Sequence, residues 1–280
     1  MLWAVGASLA LAGCGALQND IDVPLPNYSA ELVVECYLEP GKVPSLTVTT
    51  SVPYLSAVLP QVPTDVTVAL TLPDGTMVPL NFAPNYAALV DTSTGVKFHT
   101  HIGRDPLVAR PGDVFKLTVS DTQGRRVTGS TTMPTYVRID SVEYKFNDKT
   151  GAERKAYFLT NFRDSASLDD TYRLQLHKGD PTRGALLKRP EVDFFIEDRL
   201  VNGKPVVLGT RYRFDLGDTI TATLYHTEPA FFRFSQSVRD AREANGNPFG
   251  QPSAVYSNVQ GGIGIFTVLS GTRATKVLSK

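Results

Sequence analysis

The chain has 280 residues, with Lys+Arg 28 balanced by Asp+Glu 28, so the formal net charge is zero and the pI is near neutral. That balance excludes the whole-chain basic field on which nucleic-acid binding relies. Hydrophobic residues make up 42% and charged ones 20%, a globular composition that excludes a disordered chain and a multi-span membrane protein, and two cysteines exclude a disulfide framework.

Met1 to Leu11 (MLWAVGASLAL) is apolar but too short to cross the roughly 30 Å hydrocarbon core as a helix. It reads as a secretion signal. The stretch ends in Leu11-Ala12-Gly13-Cys14, the lipobox pattern, in which the Cys14 thiol is acylated before cleavage. The small residues let a peptidase draw extended backbone into a narrow site beside the bilayer. The alternative is a buried N-terminal strand or helix with a chance cysteine. No Lys or Arg precedes Lys42, so a basic leader region is missing, the pattern expected if translation starts upstream of Met1. Residues 1–13 are read as a lipoprotein signal peptide and 14–29 as the lipidated cysteine and a polar, proline-containing tether. Two or more acyl chains, at about 0.8 kcal/mol per buried methylene, exceed the two-signal requirement for stable attachment. Gly15 rather than Asp after the cysteine favours the outer membrane. Asp20 and Asp22 are too sparse an acidic cluster to assign its periplasmic or cell-surface face.

From Ala30 the pattern has period two. Leu32, Val34, Cys36 and Leu38 share one strand face, which makes Cys36 a buried apolar thiol rather than a reactive one. Further β-type runs follow at 45–51, 66–72, 77–82, 97–102, 114–120 and 125–132, with Pro73-Asp74-Gly75 and Asp121 to Gly124 as hairpin turns. Seven short strands in about 100 residues predict an immunoglobulin-like β-sandwich over 30–133. Met133-Pro134 forms a seam. Beyond it, β runs at 141–146, 156–162, 171–177, 192–196, 206–208, 212–214 and 219–225 predict a second β-rich sandwich domain over 134–280, with one amphipathic helix near 228–244. Thr227 is its expected N-cap, Phe231, Phe234, Val238 and Ala241 form its apolar stripe over one sheet of the second domain, and Asn245-Gly246 stops it. Ile263 to Leu269 reads as a closing strand.

The lipobox, Glu31-Leu32-Val33-Val34-Glu35, Thr131-Thr132-Met133-Pro134, Asp193 to Gly203, and above all Gly246-Asn247-Pro248-Phe249 with Tyr256-Ser257-Asn258 and Gly261-Gly262-Ile263-Gly264-Ile265-Phe266 resemble the Bacteroidota envelope lipoproteins of domain of unknown function 4249. The resemblance covers nearly the whole chain after Cys14; Cys36 stands where the family pattern has a small residue. It implies no established activity and supplies no catalytic residue. Because members tend to be encoded beside TonB-dependent receptors, it implies an accessory role at an outer-membrane transporter. The glycine-rich run 258–264 is read independently as backbone packed closely against other structure or as a binding loop.

No cofactor motif or catalytic constellation is expected. His99 and His101 lie two apart on a strand and could meet one metal, but no third ligand is near, so surface histidines are the simpler reading. Asp164, Asp169 and Asp170 have calcium-type oxygens without the twelve-residue calcium-loop pattern, which leaves a solvated acidic loop as the simpler reading. Asp193 with Glu197 on one face, and Asp198 on the other, are the residues on which a glycoside hydrolase would depend. Tyr54, Tyr86, Tyr136, Phe249 and Tyr256 fall in loops or at strand ends, where exposed rings can stack on a sugar or anchor a protein; ordinary core or rim packing is the alternative. The expectation is a non-catalytic, outer-membrane-anchored binding module with the lipid bilayer and an outer-membrane protein as partners and no nucleic acid. The alternatives are an independent glycan- or peptide-binding lipoprotein and, behind it, a hydrolase.

Overall fold

A computed structural model describes residues 28–53, 61–86, 98–166, 169–179, 190–198, 202–245 and 254–280. Cys14, Tyr54 and Phe249 lie outside the described residues. The fold is mainly β, with fifteen strands and one α-helix among the described residues. No described helix is long and apolar enough to cross a membrane.

The first body is built from β1 (Leu32–Leu38), β2 (Ser45–Thr50), β3 (Val66–Thr71), β4 (Met77–Phe82), β5 (His101–Ile102), β6 (Val114–Asp121), β7 (Arg126–Thr132) and, from the far end of the chain, β14 (Ile263–Val268). They form one sheet in the order β14-β1-β2-β5-β4-β3-β6-β7. The β1–β14 pairing is parallel and the others are antiparallel. The sheet curls until its ends meet. Thr128 of β7 exchanges backbone hydrogen bonds with Gln260 at 3.0 and 2.8 Å, and Val268 N–H donates to Thr131 Oγ1 at 3.1 Å. The inward residues of the period-two pattern fill the barrel-like interior, among them Leu32, Val34, Cys36, Leu38, Phe115, Leu117, Val119 and Phe266. Each such side chain contributes about 1.5–3 kcal/mol through burial. Both hairpin turns close as their residues dictate. Asp74 Oδ1 accepts from Thr76 N–H at 2.8 Å, and Asp121 Oδ1 accepts from Gln123 and Arg125 N–H at 3.0 and 2.9 Å.

The glycine-rich run is packed backbone. At Gly264, φ is +136°, and a Cβ there would stand 1.8 Å from the Val34 carbonyl oxygen of β1. At Gly261, φ is +79°, and a Cβ would meet the Arg126 carbonyl oxygen at 2.1 Å. No residue with a side chain fits the close approach that closes the sheet. The preceding Asn258 acts as a one-residue strand partner: its amide donates to Phe266 O at 2.8 Å and accepts from Phe266 N–H at 2.9 Å.

The second body stacks a four-stranded sheet on a three-stranded one. The first has the order β11 (Val192–Glu197), β10 (Thr171–Lys178), β13 (Thr219–Thr227), β15 (Ser270–Val277); the second has the order β12 (Pro205–Gly209), β9 (Ala156–Arg163), β8 (Ile139–Phe146). Phe158, Phe162, Tyr172, Leu174, Phe214 and Leu224 are among the buried residues between them.

Three sequence readings change in the structure. The segment 263–268 joins the first sheet, beside β1, and only Leu269 separates it from β15 of the second body; Leu269 N–H donates to Leu38 O at 2.8 Å. The helix α1 (Pro229–Asn245) touches both β14 and β10, with Phe231 and Phe234 in a shared cluster with Tyr225, Ile265 and Leu269, so it wedges the two bodies together. Thr227 is not its N-cap: it ends β13, with its hydroxyl 2.8 Å from that of Thr171. Glu228 reaches back to β7 instead, where its carboxylate accepts from Thr131 Oγ1 and, at 3.0 Å, from Thr132 N–H.

Candidate functional site

The most chemically concentrated place in the described structure is one end of the second body. There the chain crosses twice between the facing sheets, from β9 to β10 and from β11 to β12. The crossovers are zipped by backbone hydrogen bonds, Asp164 N–H to Lys204 O at 3.0 Å, Gly203 N–H to Ser165 O at 3.2 Å and Asp198 N–H to Asp170 O at 3.0 Å. Each places an aspartate just beyond a strand end. Asp164, Asp170 and Asp198 each turn a carboxylate oxygen inward, and these oxygens lie within 4.8 Å of one another. The three residues are 3%, 9% and 3% exposed.

Their environments differ. Asp164 is well satisfied, with Oδ1 accepting from the Tyr172 hydroxyl at 2.6 Å and Oδ2 from Gly203 N–H at 2.7 Å. Asp170 Oδ2 accepts from the Ser165 hydroxyl, and its Oδ1 stands 3.1 Å from His226 Nε2. The other ring nitrogen of His226, Nδ1, lies 2.8 Å from the Thr135 carbonyl oxygen. The Thr135 hydroxyl oxygen also lies 3.3 Å from Nδ1. The ring stacks on Tyr172 with centroids 5.1 Å apart and planes at 29°. Among the described residues, Asp198 Oδ2 accepts a long hydrogen bond from Asp170 N–H, at 3.4 Å. Burial pushes its carboxyl above the usual range, and the charges of Asp164, Asp170 and Asp169 push the same way. Burial also pushes the Tyr172 phenol up, reinforced by its bond to Asp164. Clustered carboxylate oxygens are the donor set of a hard, oxygen-seeking cation.

The residues singled out in the sequence fall in several places. Among the described residues, Asp164, Asp170 and Asp198 are the one group of at least three potential metal ligands, so Asp164 and Asp170 join a third carboxylate from a separate segment. Asp169 is exposed, in a turn with φ of 65°. Asp193 lies elsewhere: both its oxygens are held by Arg173, at 2.8 and 2.7 Å, and that guanidinium sits over Phe195. Glu197 is exposed at the end of β11. His101 is not a surface histidine: it is buried, with Nδ1 2.9 Å from the Thr100 hydroxyl and its ring edge-on to Phe82, while His99, two residues earlier, is half-buried and lies just before β5 rather than in it. Tyr86 is 49% exposed, with its ring 6.0 Å from that of Phe98. Tyr256 packs half-buried against the helix cluster, and Tyr136 lines a small cleft of about 120 Å³ with Glu39, Pro40, Leu269, Gly271 and Arg273. Cys36 is fully buried, and burial pushes its thiol up to about 12. His226 was absent from the sequence reading of this site, since nothing local ties it to residues far earlier in the chain.

No curated protein matches the chain. Among solved structures, one described as "Cytokine receptor complex - Crystal form 1A" aligns over 88% of this chain and 95% of its own, at 10% identity and a TM-score of 0.26, a likeness too slight to carry an argument. The sequence model of the family described as "Domain of unknown function (DUF4249)" matches residues 18–275, and the chain belongs to that family.

Proposed function

We propose that this protein is a non-catalytic binding module, held at the outer membrane by acyl chains on Cys14, that assists a TonB-dependent receptor or transporter. The observation that carries the reading is Leu11-Ala12-Gly13-Cys14 at the end of an apolar leader. The polar segment between Cys14 and Asn27 supports it as a tether, because such a segment gives the folded body reach from the bilayer. The all-β body with a wedged helix suits a docking scaffold, in which rigid sheets hold connecting segments in place. The Arg173 clamp on both oxygens of Asp193 weakens the hydrolase alternative, because it occupies the carboxylate that reaction would use.

The test has two stages. Cys14→Ala should move the protein from the membrane to the soluble fraction with its fold intact, as read by fractionation and circular dichroism; continued sedimentation with membranes would overturn the lipid anchor. Affinity purification of the wild-type protein from membranes at native expression should recover a β-barrel receptor, and recovery of the protein alone would overturn the accessory role. Loss of glycan or peptide binding on Tyr86→Ala would instead support an independent binding lipoprotein.

A further inference from the structure

We propose that the cleft where the two bodies meet receives a single carboxylate presented by an acidic side chain of a protein partner. Three segments build it. In the turn after β1, Glu39-Pro40-Gly41-Lys42, proline stands second and glycine third, with a φ of +78° at Gly41, and Lys42 N–H donates to Glu39 O at 3.2 Å. This is a type II turn, and it sets the Glu39 and Lys42 side chains together. The connection from β7 to β8 carries Tyr136, and Thr272 Oγ1 pins it to β15 by donating to Val137 O at 2.6 Å. The start of β15 supplies Gly271 and Arg273. A Cβ at Gly271 would meet the Tyr225 ring at 2.9 Å, so this wall of the cleft is bare backbone.

The charges in the cleft do not balance. Lys42 and Arg273 converge on one oxygen, Glu39 Oε2, Lys42 in a direct hydrogen bond and Arg273 Nη2 at 3.5 Å. Among the described residues no other ion pair involves these three, which leaves two cations on one anion. Arg273 is the less engaged of the two. Its planar fork of five N–H donors meets the long Glu39 contact and the Tyr225 phenol, and such a fork matches the two oxygens of a carboxylate. Its side chain is 31% exposed, which keeps the fork reachable from solvent. Size sets the occupant. The cleft holds about 120 Å³, short of the roughly 300–1,000 Å³ of a small-molecule pocket. One acidic side chain fits between the Tyr136 ring and Pro40, and a charged group seated beside an aromatic ring is a common form of interface anchor. The inference deepens the binding-module reading and rests on it for the partner being a protein.

The test titrates the purified, isotopically labelled full chain with three probes: an N-acetylated, C-amidated Gly-Gly-Glu-Gly-Gly peptide, its Gln counterpart, and acetate. The Gly271 amide and the Arg273 Nε–H are followed by NMR. The Glu peptide should shift both signals with a Kd of about 1 mM, and the Gln peptide should shift neither. Arg273→Gln should weaken the Glu peptide about 10–100-fold. Glu39→Gln, which removes the competing carboxylate, should tighten it about 3–10-fold, a reversal of sign that a merely structural role does not produce. Arg213→Gln, at an exposed ion pair elsewhere, should leave it unchanged. A folded wild-type protein with no shift at these positions overturns the site, as does binding that survives in Arg273→Gln. If Arg273→Gln does not fold, Tyr136→Ala must weaken the peptide instead, and unchanged binding there overturns the site. Equal binding of the Glu and Gln peptides overturns the carboxylate, and acetate binding as tightly as the peptide overturns the protein source in favour of a free small acid. The assay needs neither membrane nor receptor, so its failure is distinct from failure of the anchor or of receptor recovery.

Discussion

Replacing Gly264 by alanine tests how the first body closes. Gly264 pairs with Val34 in the parallel β1–β14 register, at a φ of +136°. An added Cβ would stand 1.8 Å from the Val34 carbonyl oxygen, where real Cβ atoms keep at least 3.0 Å, so the strands must part by about 1.2 Å. The backbone conformation itself costs a side chain about 1–3 kcal/mol, and forcing packed strands apart adds about 1–3 kcal/mol. The sum is about 4 kcal/mol, a large share of the roughly 5–15 kcal/mol that holds a domain folded. At about 2–4 °C per kcal/mol for a chain of this size, Gly264→Ala should melt about 8–16 °C below wild type. Gly75→Ala is the control. Its φ is +87°, but nothing lies within 4 Å of the added Cβ, so only the conformational cost of about 1–2 kcal/mol applies. Thermal melts of the three proteins, checked by urea midpoints, decide the matter. If Gly264→Ala loses no more than Gly75→Ala, the close approach of β14 to β1 is wrong.

Glu228, the link from the second body to β7, gives a pH signature. Burial holds its carboxyl above the ordinary value of 4.5, so the folded state binds this proton more tightly than the unfolded state. Its contribution to stability is fully present below pH 4.5 and is lost as pH rises through the folded value. Urea midpoints should therefore fall more steeply from pH 4.5 towards neutrality in wild type than in Glu228→Gln, and parallel curves would refute the buried link. Glu228→Ala, which leaves the Thr132 N–H without its partner, should cost about 1–3 kcal/mol at neutral pH. Cys36, with its thiol pushed up to about 12 and no exposed surface, should ignore a thiol reagent in native buffer and react on unfolding; prompt native labelling would show that its face of β1 is open.

The strands and hairpins were legible because their signals are local. Alternation along Leu32 to Leu38 fixes which side chains face inward without reference to the rest of the chain, and Pro73-Asp74-Gly75 carries its turn geometry in three residues. Parallel pairing has no such signal. Ile263 to Val268 has the pattern of a buried strand wherever it lies, and its place beside β1 depends on contacts made across most of the chain. The N-cap misreading is of the same kind. Thr227 suits a cap by residue type, but its register opposite Thr171 offers a better partner for the hydroxyl than a helix terminus does. The calcium-type oxygens of Asp164 and Asp170 were visible in the sequence, but Asp198 stood apart from them as a member of a different carboxylate group. Only the facing of the two sheets brings its crossover alongside theirs.

The same topology explains why the glycine-rich run stands out in the sequence without being a ligand loop. β14 enters the first sheet and β15 enters the second with a single residue between them, so the position of β14 fixes where the second body begins its last strand. Leu269 is buried at that step and bonded to Leu38. Close approach at Gly261 and Gly264 is what lets the chain reach β1 and still leave on the correct side for β13. Together with Glu228 on β7 and α1 against β14 and β10, this joins the two bodies at three separate places. A perturbation in either body is therefore expected to act on both, and the aspartate cluster meets His226 near the end of the same β13 whose next residue is Glu228.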